Sequence, residues 1–159
     1  MADDDLLATQ AELFGSVFVV AQHLTRRTDA ALASLDLTTR QWLLLAVLSQ
    51  GFADRSPSLS EAAQRYGSSR QNVKQIALGL EARGFVRLVA DPADGRTTRL
   101  VMTDRVRVFD EPTMQAQAAA LLASAFAGLT ADDTLALRDL VRRWLAGISA
   151  DREATGAHP

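Results

Sequence analysis

The sequence predicts a mainly α-helical chain with a small β-hairpin wing, that is, a winged helix-turn-helix plus a helical dimerisation domain. Three features carry that reading. Apolar residues recur at steps of three and four along both ends of the chain, the mark of long amphipathic helices. Between those ends, two short helical segments flank a turn around Gly67, which is the form of a helix-turn-helix. Two β-prone runs separated by turn formers follow directly, in the position of a wing.

Length and composition set the frame. The 159 residues suffice for one small domain plus a dimerisation arm. With 48% hydrophobic residues a packed core is attainable, and wholesale disorder is not expected. Cysteine is absent, which excludes disulfides, thiolate zinc sites and thiol-based redox sensing. No apolar run nears the roughly 20 residues that span a bilayer. Met1–Asp5 is acidic where a secretory signal would be basic, so a cytoplasmic location is expected.

Each element follows from local pattern. The first helix carries the stripe Phe14, Val17, Phe18, Ala21, Leu24, Thr28, Ala31, Leu32 and Leu35, with Asp3, Asp4 and Asp5 ahead of its first turns, where the helix dipole favours negative charge. A stripe that long needs a packing partner. Thr38 opens a second helix with Gln41 three residues on, the spacing of a capping box. The run Trp42, Leu43, Leu44, Leu45, Val47, Leu48 is apolar most of the way round, as in a central helix. Gly51–Pro57 reads as a loop. A short helix follows near Ser60–Tyr66, capped by Ser58 or Ser60 and ended by Gly67. Ser68, with Gln71 three residues later, is expected to cap the next helix, about Ser69–Arg83, which Gly84 ends. Phe85–Ala90 and Thr98–Thr103 are the hairpin strands, joined by the turn Asp91–Thr97. Thr103 caps a further helix that Pro112 must kink or restart, since proline has no N–H to donate. Ala116–Phe126 is alanine-rich and helical. Leu129-Thr130 with Asp133 opens a last helix with the stripe Leu137, Leu140, Val141, Trp144, Leu145, Ile148. The expected organisation is a helical dimerisation domain from residues 1–36 and 104–150, a winged helix-turn-helix DNA-binding domain over 37–103, and a flexible tail over 151–159.

Charge is segregated along the chain. The net charge is −2, yet Arg65–Arg107 holds nine basic and four acidic residues, or +5, which leaves −7 for the remainder. Within this basic stretch, Val73, Ile76, Ala77 and Leu80 fall in one arc of the helical wheel and face the core. Gln71 and Gln75 then point outward, flanked by Asn72 and Lys74, with no carboxylate until Glu81; Leu78 also faces partly outward. Amides pair bidentately with adenine and lysine contacts guanine, so this face suits base edges in a major groove. Ser68 and Ser69, at the helix start, suit phosphates, and Arg70 beside them belongs to the candidate DNA-binding set. Arg96 at the wing tip suits a minor groove, and Arg99 on the second strand completes the candidate DNA-binding set.

These stretches together resemble the MarR (multiple-antibiotic-resistance regulator) family of bacterial winged-helix repressors. The matching segments are Leu37-Thr38 with Gln41, Leu59-Ser60-Glu61-Ala62-Ala63, Tyr66-Gly67-Ser68-Ser69-Arg70, Val73, Leu80-Glu81-Ala82-Arg83-Gly84-Phe85-Val86-Arg87 and Asp91-Pro92-Ala93-Asp94-Gly95-Arg96. The resemblance implies a homodimer on a pseudopalindromic operator in double-stranded DNA, with its outer helices interlocked. It also implies release by a small aromatic or phenolic effector, for which Phe18, His23, Trp42, Tyr66 and Phe109 are candidates. By the family pattern, Asp94 orients Arg96 for the minor groove. The sequence departs from that pattern at Gly95, where the family carries a basic residue, and at Thr103-Asp104-Arg105-Val106, which bears on the path of the fifth helix.

Other classes are disfavoured. His23 and His158 are the only histidines, and nucleophile-elbow, P-loop and dinucleotide-fold glycine patterns are absent, so no enzyme is expected. Neither a metal site nor a cofactor is expected. The alternative is a winged-helix protein–protein interaction module without DNA binding; such a face would show exposed aromatics, and the recognition helix has none.

Overall fold

The computed structural model describes residues 2–52 and 55–155. The chain forms two units, Met1–Leu121 and Leu122–Pro159. In the first, helix α1 spans Ala2–Leu32 and is followed by a single 3-10 turn, Ala33–Leu35. Asp3–Asp5 thus lie inside the first turn of α1 rather than ahead of it. Helices α2 (Thr39–Gly51), α3 (Leu59–Tyr66) and α4 (Arg70–Ala82) come next, then strands β1 (Val86–Ala90) and β2 (Thr98–Met102).

Short side chains at the helix starts fix these boundaries. Thr38 caps α2 in a full capping box: its hydroxyl accepts from the Gln41 N–H, and the Gln41 side chain accepts from the Thr38 N–H at 3.0 Å. Ser58, not Ser60, caps α3 in the same reciprocal way with Glu61. Gly67 closes α3 in the left-handed region, φ 78°. The cap of α4 differs from the sequence expectation. Ser69 accepts from the Asn72 N–H at 3.1 Å, whereas Ser68 is still part of the α3 ending, its N–H donating to the Ala63 carbonyl. The six-to-one bond that follows a left-handed glycine uses up Ser68, so the first extended residue free to cap is Ser69.

The core lies among α2, α3, α4 and the hairpin. Leu44, Leu48, Ala62, Val73, Ala77, Leu80, Phe85, Val86 and Leu100 are buried there, and Leu32 and Leu37 tie the α1–α2 corner to it. The strands pair antiparallel, from Val86 opposite Met102 to Ala90 opposite Thr98. The segment before α3 adds a short third rung, with Ser58 bridged to Arg99 and the Leu100 N–H donating to the Pro57 carbonyl at 2.9 Å. Thr103 caps a 3-10 segment, Asp104–Asp110, and Pro112 restarts the chain as the first residue of α5, Pro112–Ala125. Proline fits there because the first helical N–H has no intrahelical acceptor.

In the second unit, Thr130 and Asp133 cap α6, Ala131–Thr155, through reciprocal bonds of 3.0 and 3.1 Å. The helix runs past residue 150, where a flexible tail was expected, because Arg152, Glu153 and Ala154 are strong helix formers. Residues 156–159 of that tail lie outside the described residues. Along α6, Leu137, Leu140, Trp144, Leu145 and Ile148 are exposed; along α1, so are Phe14, Val17, Phe18 and Leu24.

Candidate nucleic-acid interface

The N-terminal half of α4 presents Arg70, Gln71, Lys74 and Gln75 to solvent while Val73, Ile76, Ala77 and Leu80 pack inward. Three of the expected contact residues also build the turn. Ser69 caps the helix; Asn72 is half-buried and its side-chain amide donates to the Ser68 hydroxyl at 2.8 Å. Glu81, the first carboxylate along α4, accepts from the Leu88 N–H at 2.7 Å and so holds the wing to the helix. The exposed front therefore carries amide and positive groups only. Leu78 is exposed beside them.

The wing is organised around Asp91. Its carboxylate accepts from the Ala93 N–H at 2.8 Å and pairs with Arg99, and these contacts hold its pKa below the ordinary aspartate value, the Ala93 N–H most of all. Arg99 also donates to the Ser56 carbonyl at 2.8 Å. Its guanidinium is thus held at the base of the wing by Asp91 and Ser56, while the side chain stays partly exposed. The hairpin register puts Ala90 opposite Thr98, so a residue-91-to-99 diagonal was the available sequence signal. Asp94 bonds the backbone of Arg96 rather than its guanidinium. One carboxylate oxygen accepts from the Arg96 N–H at 3.1 Å and the other from the Thr97 hydroxyl at 2.9 Å, which leaves the Arg96 side chain exposed at the tip.

The expected effector residues are spread over several elements. Phe18 sits on the exposed side of α1, edge-on to Phe14 at 5.0 Å, and His23 is exposed on the same helix. Trp42 is partly exposed on α2. Tyr66 packs on the core and donates its hydroxyl to the Arg40 carbonyl at 3.2 Å; burial raises its pKa. Phe109 stacks on Phe85, 6.0 Å between ring centres. A cavity of about 290 Å³ lies elsewhere, lined by Leu48, Phe52, Arg55, Pro57, Leu100 and Met102 among others, and none of the five candidates borders it. Among the described residues no three His, Asp or Glu side chains stand together to hold a metal, and no single helix is long and apolar enough to cross a membrane.

A profile described as the MarR family matches residues 35–97, from the α1–α2 corner to the wing turn. Over 145 residues the chain is 30% identical to an uncharacterized protein of Mycobacterium tuberculosis, covering 89% of this chain and 96% of that one. The chain belongs to the MarR family. Within it, 102 residues are 29% identical to the transcriptional activatory protein BadR of Rhodopseudomonas palustris, covering 64% of this chain and 58% of BadR. The structure of Bordetella bronchiseptica BpsR, whose DNA binding is regulated by 6-hydroxynicotinic acid, superposes with a TM-score of 0.70 at 22% identity, over 84% of this chain and 98% of BpsR. The fold is that of MarR-type winged-helix structures, mostly helical with a two-stranded antiparallel hairpin.

Proposed function

We propose that this MarR-family chain is a sequence-specific DNA-binding transcription regulator of the cytoplasm, acting as a homodimeric repressor on a pseudopalindromic operator. One observation carries the reading: the exposed front of α4 offers Arg70, Gln71, Lys74 and Gln75 with no competing carboxylate, on a helix whose back is buried. Amides and cations on a capped helix N-terminus suit a major groove. Ser68, Ser69 and Asn72 set the helix start close to phosphates, and Arg96 at the exposed wing tip enters the adjacent minor groove.

Dimerisation accounts for the exposed stripes. In water, Phe14, Val17, Phe18 and Leu24 on α1, and Leu137, Leu140, Trp144 and Leu145 on α6, favour burial, and both helices lie outside the winged region. A second copy covers them, which makes residues 1–36 and 104–150 the dimerisation domain and 37–103 the DNA-binding domain. A small aromatic or phenolic effector then releases the operator, as the regulation of BpsR by 6-hydroxynicotinic acid suggests. Phe18, His23, Trp42, Tyr66 and Phe109 are the residues we assign to it. Selection of bound sequences from random duplex DNA by the pure chain tests the whole reading. Enriched sites with two-fold symmetry support it; an unenriched pool refutes it. A reporter driven from the selected operator gives the sign of regulation: output that rises when the chain is supplied would make it an activator.

A further inference from the structure

The recognition helix is fastened at its far end as well as at its cap. Arg83 closes α4 and its guanidinium bonds in two directions. One terminal nitrogen donates to the Gly79 carbonyl, in the last turn of the same helix, at 3.1 Å. The other pairs with the Asp36 carboxylate at 2.9 Å, and Nε donates to the Asp36 backbone carbonyl. Asp36 stands at the corner where the chain turns by 84° between α1 with its 3-10 extension and α2. It has φ 53°, a left-handed conformation that costs a non-glycine residue energy and persists where its surroundings hold it.

Two more contacts brace that corner. Asp29 of α1 accepts from the N–H of Thr39 at 2.6 Å and lies 2.8 Å from the Thr39 hydroxyl, so a carboxylate of α1 sits on the N-terminus of α2. Gly79 approaches α2 so closely that a Cβ there would meet Gln41 Nε2 at 2.6 Å. The α2–α4 crossing at Gly79 is thus a natural pivot, and Arg83 lies just beyond it.

We infer that the Arg83–Asp36 clamp is a positioning device: it fixes the angle between the recognition helix and α1, and with it the half-site spacing that two copies accept. The inference rests on the dimeric DNA-binding reading above. Neither residue belongs to the reading face. Gln71 lies eight residues before Gly79, about 12 Å along the axis. A tilt of roughly 10° about that pivot moves Gln71 by about 2 Å, more than half the 3.4 Å rise of a base pair. With α1 held in the dimer, such a tilt in each copy changes the distance between the two reading faces.

The test uses two variants of the full chain. Arg83→Met keeps the aliphatic stem and removes the donors. Asp36→Gly keeps the left-handed backbone at ease and removes the carboxylate. Affinity is measured by fluorescence anisotropy on the selected operator and on versions with one base pair added to or taken from the spacer, which turns one half-site by about 34°. The wild type is expected to lose about tenfold or more on the altered spacers, and each variant about threefold or less, with the consensus inside each half-site unchanged. Unchanged spacing discrimination in both variants overturns the clamp while leaving the DNA reading intact. A consensus degraded inside the half-sites also overturns it, because a loosened helix rather than a rotated one would then be at work. If Arg83→Met does not fold, Asp36→Gly alone decides. A wild type that binds no duplex at all refutes the DNA reading, and the clamp with it.

Discussion

Gln71 and Gln75 lie four residues apart on the exposed front of α4, about 6 Å along the helix axis. Base pairs rise by about 3.4 Å, so the two amides address positions roughly two base pairs apart in one half-site. An amide that bonds adenine at N6 and N7 discriminates by about 1–3 kcal/mol, or about 5- to 150-fold. Gln75→Ala is therefore expected to relax selection at one position per half-site, and Gln71→Ala at a second position two base pairs away. Both side chains are exposed and neither bonds another described residue, so the fold is not at stake. Lys74, beside them, is expected to act on phosphate: Lys74→Ala lowers affinity for all sequences alike and flattens the salt dependence by about one. The assay is selection from random duplexes with each variant, followed by titration on the enriched site. If both glutamine variants return the wild-type consensus, or relax positions four or more base pairs apart, this face of α4 does not read bases as drawn.

Arg99→Met cuts the ties from β2 to Asp91 and to the Ser56 carbonyl. It is expected to lower both the melting temperature and operator affinity with the salt slope unchanged; an unaltered melt with the slope reduced by about one would place Arg99 on a phosphate. Asp29, Glu61, Asp91 and Asp133 are all held below their ordinary pKa values, by donors from Thr39, Ser58, Ala93 and Thr130 respectively. Folded values below unfolded ones mean that their contribution is full above the unfolded values, 3.8 for Asp and 4.5 for Glu, and is lost as pH falls through the folded values. Melting temperature should accordingly drop between pH 5 and pH 2, less steeply for Asp29→Asn, and a flat profile would refute this. Trp144→Glu places a charge in the α6 stripe and is expected to give monomers or insoluble protein; a wild type that light scattering finds monomeric at micromolar concentration would refute the dimer.

Local chemistry made the fold readable. Helix starts at Thr38, Ser58 and Thr130 were marked by a hydroxyl residue and an amide or acid three positions on, and the reciprocal bonds at all three follow from that spacing. The start of α4 was misplaced by one residue because Ser68-Ser69 offers two hydroxyls. Which one caps depends on how the preceding helix unwinds at Gly67, a tertiary choice. The four buried positions of α4 were legible from periodicity, and so was its exposed front. Pairings between residues distant in sequence were not legible. Arg83 bonds Asp36 across 47 positions and Arg99 bonds Ser56 across 43, and nothing local to either arginine announces its partner.

That distinction sets how strongly salt should act on binding. By sequence alone, nine cations between Arg65 and Arg107 look equally available. In the structure Arg83 is paired with Asp36, Arg99 with Asp91 and Arg107 with Asp104, while Arg105 lies over the Phe85 ring and Arg65 over Phe52. Arg70, Lys74, Arg87 and Arg96 remain exposed with no ion pair among the described residues. Four cations per copy make eight in a dimer, and each neutralised phosphate contributes about −0.9 to the slope of log affinity against log salt, so these give a slope of about −7; Arg65 and Arg105, whose ring contacts do not neutralise their charge, raise the ceiling to about −11. If all nine in each copy met phosphates, the same rule would give about −16. Operator titrations between 50 and 200 mM salt, roughly the range over which this dependence is linear, separate the two. A slope steeper than about −11 would mean that at least one of Arg83, Arg99 and Arg107 lets go of its carboxylate to reach DNA.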